Sequence, residues 1–405
     1  MKQSPDVTIE RQIREHVRRQ RDPFYLYDVD QIRSVCRTFA AIPYPLTSVH
    51  FACMANAHPS FLSVVRDAGL HVFVNSLPHL HQAMACGFAG WQIVFAASAM
   101  DEPTMWEVRT AGARVQLDSL NQVSLWQRLF PGAPFGIRCN IGELVEPRNT
   151  RGGYFIGKES RLGLTTPEMM SLAGNPRVTD LHLYVGTDIC SIRYFTDCYN
   201  ALADFAPAFP ALEALDFGGG FGLSAGDGAE FDFHAYGRMA ASLMQRVSAD
   251  LGRPIRMILE PGRIIGARAG WFACRVTDVK QRSGSQLVGV NASSTQFPRP
   301  LLYPDSARHP VTLLHVEPRV NGKPHLPSAV YGCSTYSRDF LARDVMLPQA
   351  AVGDIIVLGE AGCYCAAAHS HFLGFPQAKE IFYDREADSR PERIEDLLRT
   401  AGAGL

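Results

Sequence analysis

The chain has 405 residues, with 39 lysine and arginine against 40 aspartate and glutamate residues, a formal net charge of −1 at pH 7. This balance offers no basic field for nucleic acid or an anionic membrane, and no apolar run approaches the roughly 18 residues that span a bilayer. The polar N-terminus lacks the apolar core of a signal peptide, and ten cysteines spread over so long a chain are typical of reduced cytosolic thiols. We therefore expect a soluble cytoplasmic protein large enough for two domains.

Residues 24–268 alternate short β-rich runs with helical periodicity. Strands are predicted at Tyr25–Val29, Ser48–Cys53, His71–Val74, Trp91–Ala96, Arg114–Leu117, Gly136–Asn140, Asp180–Val185, Leu212–Phe217 and Ile255–Glu260. Helices are predicted between them, for example at Pro59–Ala68, Leu77–Cys86, Pro103–Ala111 and Tyr194–Ala203. Because this alternation indicates βα units around a parallel sheet, about eight units predict a (β/α)8, TIM-like barrel over residues 24–268. A doubly wound open sheet is the structural alternative.

The pattern changes after Gly270, where turn signals separate strand-like pieces with little helical periodicity. These pieces are Trp271–Val279, Gln286–Val290, Val311–Val316, Asp354–Leu358 and Lys379–Tyr383. They predict an antiparallel β-barrel or sandwich domain over residues 269–405, which we expect the N-terminal segment 1–23 to join. The charged segment after Asp384 is expected to be a helix that frays.

Two segments at the carboxyl ends of predicted strands combine groups that bind anions. Gly218, Gly219 and Gly220 form a loop after a strand, and consecutive glycines let backbone N–H groups approach an anion closely. Glu260 and Arg263 lie in Glu-Pro-Gly-Arg one unit later, and arginine can bind phosphate through two nitrogens. A tight turn and a structural ion pair are the plainer interpretations. The combination at one end of a barrel favours a phosphate site.

Further motifs along nearly the whole chain carry a resemblance to one family. They are His-Phe-Ala-Cys-Met-Ala-Asn at His50–Asn56, Asp28, Asp118-Ser119, Ser160-Arg161-Leu162-Gly163, the glycine loop, Glu-Pro-Gly-Arg, Arg299-Pro300-Leu301-Leu302-Tyr303, Asp339-Phe340-Leu341-Ala342, Gly362-Cys363-Tyr364 and Ser370-His371-Phe372-Leu373-Gly374-Phe375. This set resembles the fold-type III pyridoxal phosphate (PLP) decarboxylases, the diaminopimelate, ornithine and arginine decarboxylase family. The resemblance implies an alanine racemase-like barrel followed by a β domain.

The resemblance also implies a cofactor site. The glycine loop, Arg263 and Tyr364 would hold the phosphate of PLP. Glu260 would pair with the pyridine nitrogen and keep it protonated, so that the ring can accept electrons from a developing carbanion. Arg299 and Tyr303 would grip a carboxylate of an amino-acid substrate. Family members are dimers in which the partner completes the site, which implies a homodimer with shared active sites.

The chain departs from the family at several of these positions. The lysine that carries the cofactor is Met54 here, and a thioether forms no imine. Phe73 stands where the family has an aspartate, and Tyr184 stands where it has the ring-stacking histidine. Thr335 and Tyr336 correspond to the catalytic Cys-Glu or Cys-Asp pair. Asn291 takes the place of a second aspartate, and Leu373 that of an asparagine. Several losses around one site indicate natural divergence, although an engineered Met54 on a divergent background is an alternative. Tyr184 could still stack on the ring, and Tyr336 could act as a weak acid.

Few residues could take over the lost roles. Lys158 is the single lysine of the predicted barrel, and its place in a loop disfavours it as an anchor. Cys363, Cys365, His369 and His371 lie close enough in sequence for a metal, and the two cysteines would share a face of a strand. The small residues around them favour close packing instead, so we assign no metal. His369 and His371 are candidates for a new acid or base.

Three functions are consistent with this pattern. The first is a divergent PLP-linked amino-acid decarboxylase, binding PLP non-covalently or as an aldimine with a free amino acid gripped by Arg299. The second is a catalytically inactive relative with a regulatory or binding role. The third is an enzyme that has left PLP for other chemistry. Retention of the phosphate and ring contacts favours the first.

Overall fold

The structure is a computed structural model in which residues 5–148, 153–224, 230–316 and 325–383 are described. The chain divides into two compact units, one of residues 33–265 and one of residues 1–32 with 266–405. Before the barrel lie α1 (Val7–Arg19), β1 (Phe24–Tyr27) and α2 (Val29–Ala40). No helix among the described ranges combines the length and apolar character needed to cross a membrane.

The unit of residues 33–265 is a closed barrel of eight parallel strands. Its elements are β2 (Thr47–Ala52), α3 (Pro59–Asp67), β3 (His71–Val74), α4 (Leu77–Ala85), β4 (Ile93–Ala96), α5 (Glu102–Ala111), β5 (Arg114–Leu117), α6 (Leu120–Leu129), β6 (Phe135–Arg138), α7 (Thr166–Met170), β7 (Val178–His182), α8 (Ile192–Ala203), β8 (Ala214–Asp216), α9 (Phe233–Asp250), β9 (Arg256–Leu259) and α10 (Arg263–Gly266). The barrel closes where β2 pairs with β9, with Thr47 opposite Met257. Closure places the carboxyl ends of all eight strands around one mouth.

The barrel strands form because apolar residues are buried on both faces of the sheet. All four residues of β4 and all five of β7 are buried, as expected for parallel strands covered by helices. The helices begin at side-chain caps, such as Ser76 before α4 and Asp101 before α5, whose oxygens accept hydrogen bonds from backbone N–H groups. Regular βα units are therefore encoded locally, whereas the closure is a tertiary event.

The unit of residues 1–32 and 266–405 contains an eight-stranded sheet. Its further elements are β10 (Gly270–Arg282), β11 (Ser285–Val290), α11 (Arg299–Leu302), β12 (Val311–Leu314), β13 (Leu326–Tyr331), β14 (Phe340–Leu347), β15 (Ile355–Leu358) and β16 (Lys379–Phe382). The main path runs β12-β15-β10-β11-β13-β14, and β1 pairs with both β10 and β16. Ile9, Ile13 and Val17, four residues apart on α1, pack into the core of this sheet.

The predicted barrel is confirmed, and the open-sheet alternative is wrong because β2 and β9 close the cylinder. The strand predicted at Tyr25–Val29 is wrong as a barrel strand. Its residues form β1 of the other sheet, where Phe24 lies opposite both Ala273 and Lys379. The error arises because the periodicity of apolar residues indicates that a strand is buried but does not indicate which strand it pairs with.

The predicted β domain is also confirmed, with two additions. Strands β13 and β14 were not predicted, and two pairings, β11 with β13 and β1 with β16, are parallel instead of antiparallel. None of the ten cysteines, all of which lie in described ranges, is in a disulfide. The helix expected after Asp384 lies outside the described residues.

Candidate active site at the mouth of the barrel

The glycine loop after β8 lies too close to neighbouring backbone for any side chain. A Cβ at Gly218 would lie 2.2 Å from the carbonyl oxygen of Leu183, and one at Gly219 would lie 2.2 Å from that of Glu260. Gly218 and Gly220 also have positive φ angles, 62° and 99°, which favour glycine. These glycines are therefore required by the close approach of three strand ends.

The same loop exposes unused hydrogen-bond donors. Among the described residues, no protein acceptor is found for the backbone N–H groups of Gly219 and Gly220, although the carbonyl oxygen of Gly220 accepts from Ile189. Adjacent N–H groups without protein acceptors form an anion-binding concavity. The loop can therefore hold a phosphate, as predicted for Gly218, Gly219 and Gly220.

Arg263, the second predicted phosphate ligand, forms an ion pair with Asp188 in the loop after β7. Its side chain is only 13% exposed. The Asp188 carboxylate therefore competes with any phosphate for this guanidinium. The sequence did not predict Asp188 as the partner of Arg263, because no motif indicates this pairing.

Glu260 follows β9 and meets two further titratable side chains at the barrel axis. His182 Nε2 lies 3.4 Å from Glu260 Oε2, and a carboxyl oxygen of Asp216 lies close to both side chains. All three are buried, and one ligand atom from each lies within 4.8 Å of the others. We call His182, Asp216 and Glu260 the floor cluster.

Burial dominates the electrostatics of the floor cluster. It raises the pKa of Glu260 to about 8, partly offset by the hydrogen bond from Asp216 and by the Arg138 charge. It raises the pKa of Asp216 well above its ordinary value, and the nearby Glu260 raises it further. Burial lowers the pKa of His182 to about 4. At neutral pH the floor is therefore a set of mostly uncharged groups.

Arg138, at the end of β6, places a positive charge beside this floor. Its side chain is 14% exposed, and its Nε lies 3.9 Å from Asp118 Oδ1. Asp118 also accepts hydrogen bonds from the Ser98 hydroxyl at 2.7 Å and the Gly163 N–H at 2.9 Å. Asp118 thereby ties the Ser-Arg-Leu-Gly loop to the barrel, and burial lowers the pKa of Arg138.

The residues that replace the anchor and its neighbours make one side of the mouth apolar. Met54 is half-buried in a 3-10 turn (Cys53–Ala55) directly after β2. The half-buried Phe73 ring lies 6.2 Å from the His182 ring. Tyr184 packs edge-on against Phe155 at 4.8 Å, and burial raises the pKa of its hydroxyl to about 12. Lys158, the lysine of the predicted barrel, is exposed.

Sequence reasoning missed His182 and gave Asp216 no role. A signal was available, since His182 is the last residue of β7 and Asp216 is the last residue of β8. Their meeting with Glu260 depends on adjacent strands β7, β8 and β9.

The predicted residues of the sheet unit form local arrangements of their own. Arg299 is buried, with its guanidinium carbon 5.3 Å from the centre of the Tyr303 ring. Tyr303 itself is 40% exposed. This stacking positions the arginine for a planar anion.

The loop that contains Thr335 and Tyr336 is held by a buried aspartate. Asp339 accepts hydrogen bonds from the Ser294 N–H at 2.6 Å and the Ser334 N–H at 3.0 Å. Thr335 is exposed and Tyr336 half-buried, and the Tyr336 ring meets Phe372 edge-on at 5.4 Å.

The histidines and Tyr364 lie in an irregular segment. His369 Nδ1 is 3.0 Å from the Thr295 carbonyl oxygen, and its ring lies 5.3 Å from that of the exposed His371. Tyr364 has a φ of 56°. The strand that would give Cys363 and Cys365 a common face is wrong, because the segment is a turn followed by a 3-10 helix.

Comparison with known proteins decides the family. A family model described as "Pyridoxal-dependent decarboxylase, C-terminal sheet domain" matches residues 24–362. The chain belongs to this pyridoxal-dependent decarboxylase family. A diaminopimelate decarboxylase of Deinococcus radiodurans is 27% identical to this decarboxylase-family chain over 372 residues, which cover 89% of this chain and 90% of the relative. One of Escherichia coli K12 is 26% identical over 405 residues and covers 93% of each.

Solved structures agree with the fold of this decarboxylase-family chain. Diaminopimelate decarboxylase from Helicobacter pylori, complexed with L-lysine, superimposes with a TM-score of 0.86 at 22% identity, covering 97% of this chain and 100% of that one. Lysine/ornithine decarboxylase from Vibrio vulnificus, complexed with cadaverine, gives a TM-score of 0.79 at 18% identity, covering 94% and 100%. At such identities the two structures show the shared fold.

PLP is the cofactor that membership in this family implies, and the residues of the barrel fit it. The glycine loop offers N–H groups without protein acceptors to a phosphate, and Glu260 Oε1 is a buried oxygen without a donor, suited to a ring nitrogen. Met54, in the turn after β2, carries a thioether, which forms no imine with PLP.

Proposed function

We propose that this chain binds PLP without a covalent bond and acts on an amino acid as a divergent carbon–carbon lyase of the decarboxylase type. One observation carries the proposal: the glycine loop, which has N–H groups without protein acceptors among the described residues, and the buried floor cluster lie at the same end of the barrel strands.

The barrel residues divide the work of binding. The N–H groups of Gly219 and Gly220 hold the phosphate. Arg263 adds a contact to the phosphate when its ion pair with Asp188 opens. Glu260 holds a proton at the ring nitrogen through one carboxyl oxygen. When bound, PLP supplies an electron sink for a carbanion at the substrate carbon. The chain therefore has to orient the ring and keep its nitrogen protonated.

The apolar side of the mouth excludes water and provides packing in place of a bond. Met54 and Phe73 replace charged groups of the family, and Tyr184 can lie against the ring face. A water-poor site strengthens the pairing of Glu260 with the ring nitrogen. Without the anchor, no covalent bond slows the dissociation of PLP, so we expect bound PLP to exchange readily with PLP in solution.

The sheet unit supplies the proposed substrate and acid groups. We propose that Arg299 grips a substrate carboxylate with Tyr303, and that Tyr364 adds a phosphate contact. Thr335, Tyr336, His369 and His371 are the candidates for holding or moving a proton near the substrate carbon. We further propose a homodimer in which these groups complete the partner's site.

The test is a PLP titration followed by a trapping step. PLP is added to the purified protein, and binding is followed by its absorbance in the presence and absence of candidate amino acids. After borohydride treatment, mass spectrometry should show no PLP attached to the protein, whereas release of CO2 should require both PLP and an amino acid. No binding by the wild-type protein at millimolar PLP would sink the proposal.

A non-catalytic binding role is the second candidate. It is favoured by the exposed Thr335, which stands at one position of the family's catalytic pair, and by Phe73, which stands where the family has an aspartate. In that case PLP and the amino acid would bind without CO2 release. Turnover of a substrate in the complete absence of PLP would instead favour the third function, an enzyme repurposed to other chemistry.

A further inference from the structure

The floor cluster brings two carboxyl groups close together. Asp216 and Glu260 are both buried, and a carboxyl oxygen of each lies within 4.8 Å of the other and of a His182 ring nitrogen. Two buried carboxylates at this separation would repel each other and lose their hydration. A proton on one of them removes the repulsion and supplies a hydrogen-bond donor.

The hydrogen bonds around Asp216 indicate where that proton lies. Asp216 Oδ1 accepts the N–H of Gly218 at 3.0 Å. Asp216 Oδ2 is buried and meets no donor among the described residues, and Glu260 Oε1 is in the same position. An O–H on Asp216 Oδ2 could donate to Glu260, and because a carboxylate oxygen has two acceptor sites, Glu260 Oε1 could still accept from a ring nitrogen. The other carboxyl face of Glu260 points towards His182 Nε2 at 3.4 Å.

We propose that Asp216 is a neutral carboxylic acid whose O–H donates to Glu260, so that Glu260 is the group that exchanges its proton with the ring nitrogen of the ligand. This inference deepens the proposed function and rests on it for the ligand. The step is a simple transfer: the O–H bond of Glu260 breaks, an N–H bond forms at the ring nitrogen, and the carboxylate left on Glu260 is stabilised by the Asp216 donor.

The neighbouring charges support this assignment. The titratable groups that surround the pair from adjacent elements are His182 on β7, Arg138 on β6, Asp118 after β5, Tyr184 after β7 and Tyr199 on α8. Arg138 lowers the pKa of Glu260, whereas the pKa of Asp216 is raised both by burial and by Glu260. The Arg138 charge and the His182 ring, whose Nε2 lies 3.4 Å from Glu260 Oε2, thus favour the carboxylate on Glu260.

An asparagine at position 216 reproduces the neutral acid. Its carbonyl oxygen can accept the Gly218 N–H, and its NH2 group can donate to Glu260, so Asp216→Asn keeps both hydrogen bonds. Asp216→Leu keeps the approximate size and removes both. The probe is 4-deoxypyridoxine 5′-phosphate, which has the ring and the phosphate but no aldehyde, and whose ultraviolet absorbance reports protonation of the ring nitrogen.

We expect Asp216→Asn to bind the probe within about threefold of wild type, with the same protonated-ring absorbance from pH 6 to 9. Asp216→Leu should bind at least tenfold more weakly, as expected when a buried acceptor loses a donor. Loss of the protonated-ring absorbance in Asp216→Asn would overturn the inference, since the charge would then belong to Asp216.

A second measurement uses the unliganded protein and separates this inference from the proposed function. Asp216→Asn should unfold within about 3 °C of wild type at pH 7, because a neutral donor replaces a neutral donor. A drop of 10 °C or more, or a divalent cation found bound to the floor cluster by elemental analysis, would show an ionised Asp216 and overturn the inference. Failure of the wild type to bind the probe, with stable Asp216→Asn, would sink the proposed function alone.

Discussion

Replacing Glu260 with glutamine tests the electrostatics of the floor cluster without any ligand. Burial raises the pKa of this carboxyl from its ordinary 4.5 to about 8. Between those values the folded protein retains a proton that the unfolded chain has released. The free energy of unfolding therefore falls as pH rises, by about 1.36 kcal/mol per unit for this one group. Glutamine does not titrate and abolishes this contribution.

The expected size follows from the same pKa values. Between pH 5 and pH 9 the wild type should lose roughly 4 kcal/mol of unfolding free energy relative to Glu260→Gln, nearly all of it by pH 8. His182 has the opposite sign below pH 6.5, because burial lowers its pKa to about 4. This contribution is absent from both proteins at the alkaline end of the range, where His182 is uncharged in the folded and the unfolded chain.

The assay is urea unfolding of both unliganded proteins at one-unit steps from pH 5 to pH 9. Glu159→Gln, at an exposed position, is the matched control and should follow the wild type at every pH. A difference between wild type and Glu260→Gln that stays constant within about 1 kcal/mol across this range would refute the reasoning.

Three further changes test the rest of the mouth. Gly219→Ala places a Cβ 2.2 Å from the Glu260 carbonyl oxygen, so binding of the deoxypyridoxine probe should weaken at least tenfold. Gly252→Ala is the control for backbone strain, because a Cβ there meets nothing within 4 Å but φ is +64°. Equal losses of probe affinity in the two variants would contradict the assignment of the phosphate loop. Asp188→Asn releases Arg263, and affinity for PLP measured by absorbance should rise about fivefold, an ion-pair effect of about 1 kcal/mol; unchanged affinity would mean that Arg263 does not reach the phosphate. Met54→Lys should yield a borohydride-stable PLP adduct by mass spectrometry while Met54→Leu does not, and an unmodified Met54→Lys protein would indicate that PLP does not lie against this turn.

Much of the architecture could be predicted because it is encoded in short stretches. Barrel strands such as His71–Val74 and Arg114–Leu117 have the same bounds in the structure as in the prediction, since a short β-rich run between turn signals can be recognised locally. Side-chain caps and glycines mark the ends of the units in the same local way. The phosphate loop belongs to this class, because the conformations that its glycines adopt are properties of the residues themselves.

Other features arise only when distant segments meet. From its residues alone, β1 cannot be distinguished from a strand of the barrel. Only its pairing with β10 and β16 assigns it to the other sheet. The pairing of Asp188 with Arg263 and the meeting of His182, Asp216 and Glu260 depend on barrel closure, which aligns the ends of separate strands. The pKa values follow from this tertiary arrangement, since desolvation is set by what surrounds a group in space and not by its neighbours in the chain. The sequence by itself predicted the barrel and the phosphate loop, because both depend on local residue patterns. Only the tertiary structure brought His182, Asp216 and Glu260 together and buried them.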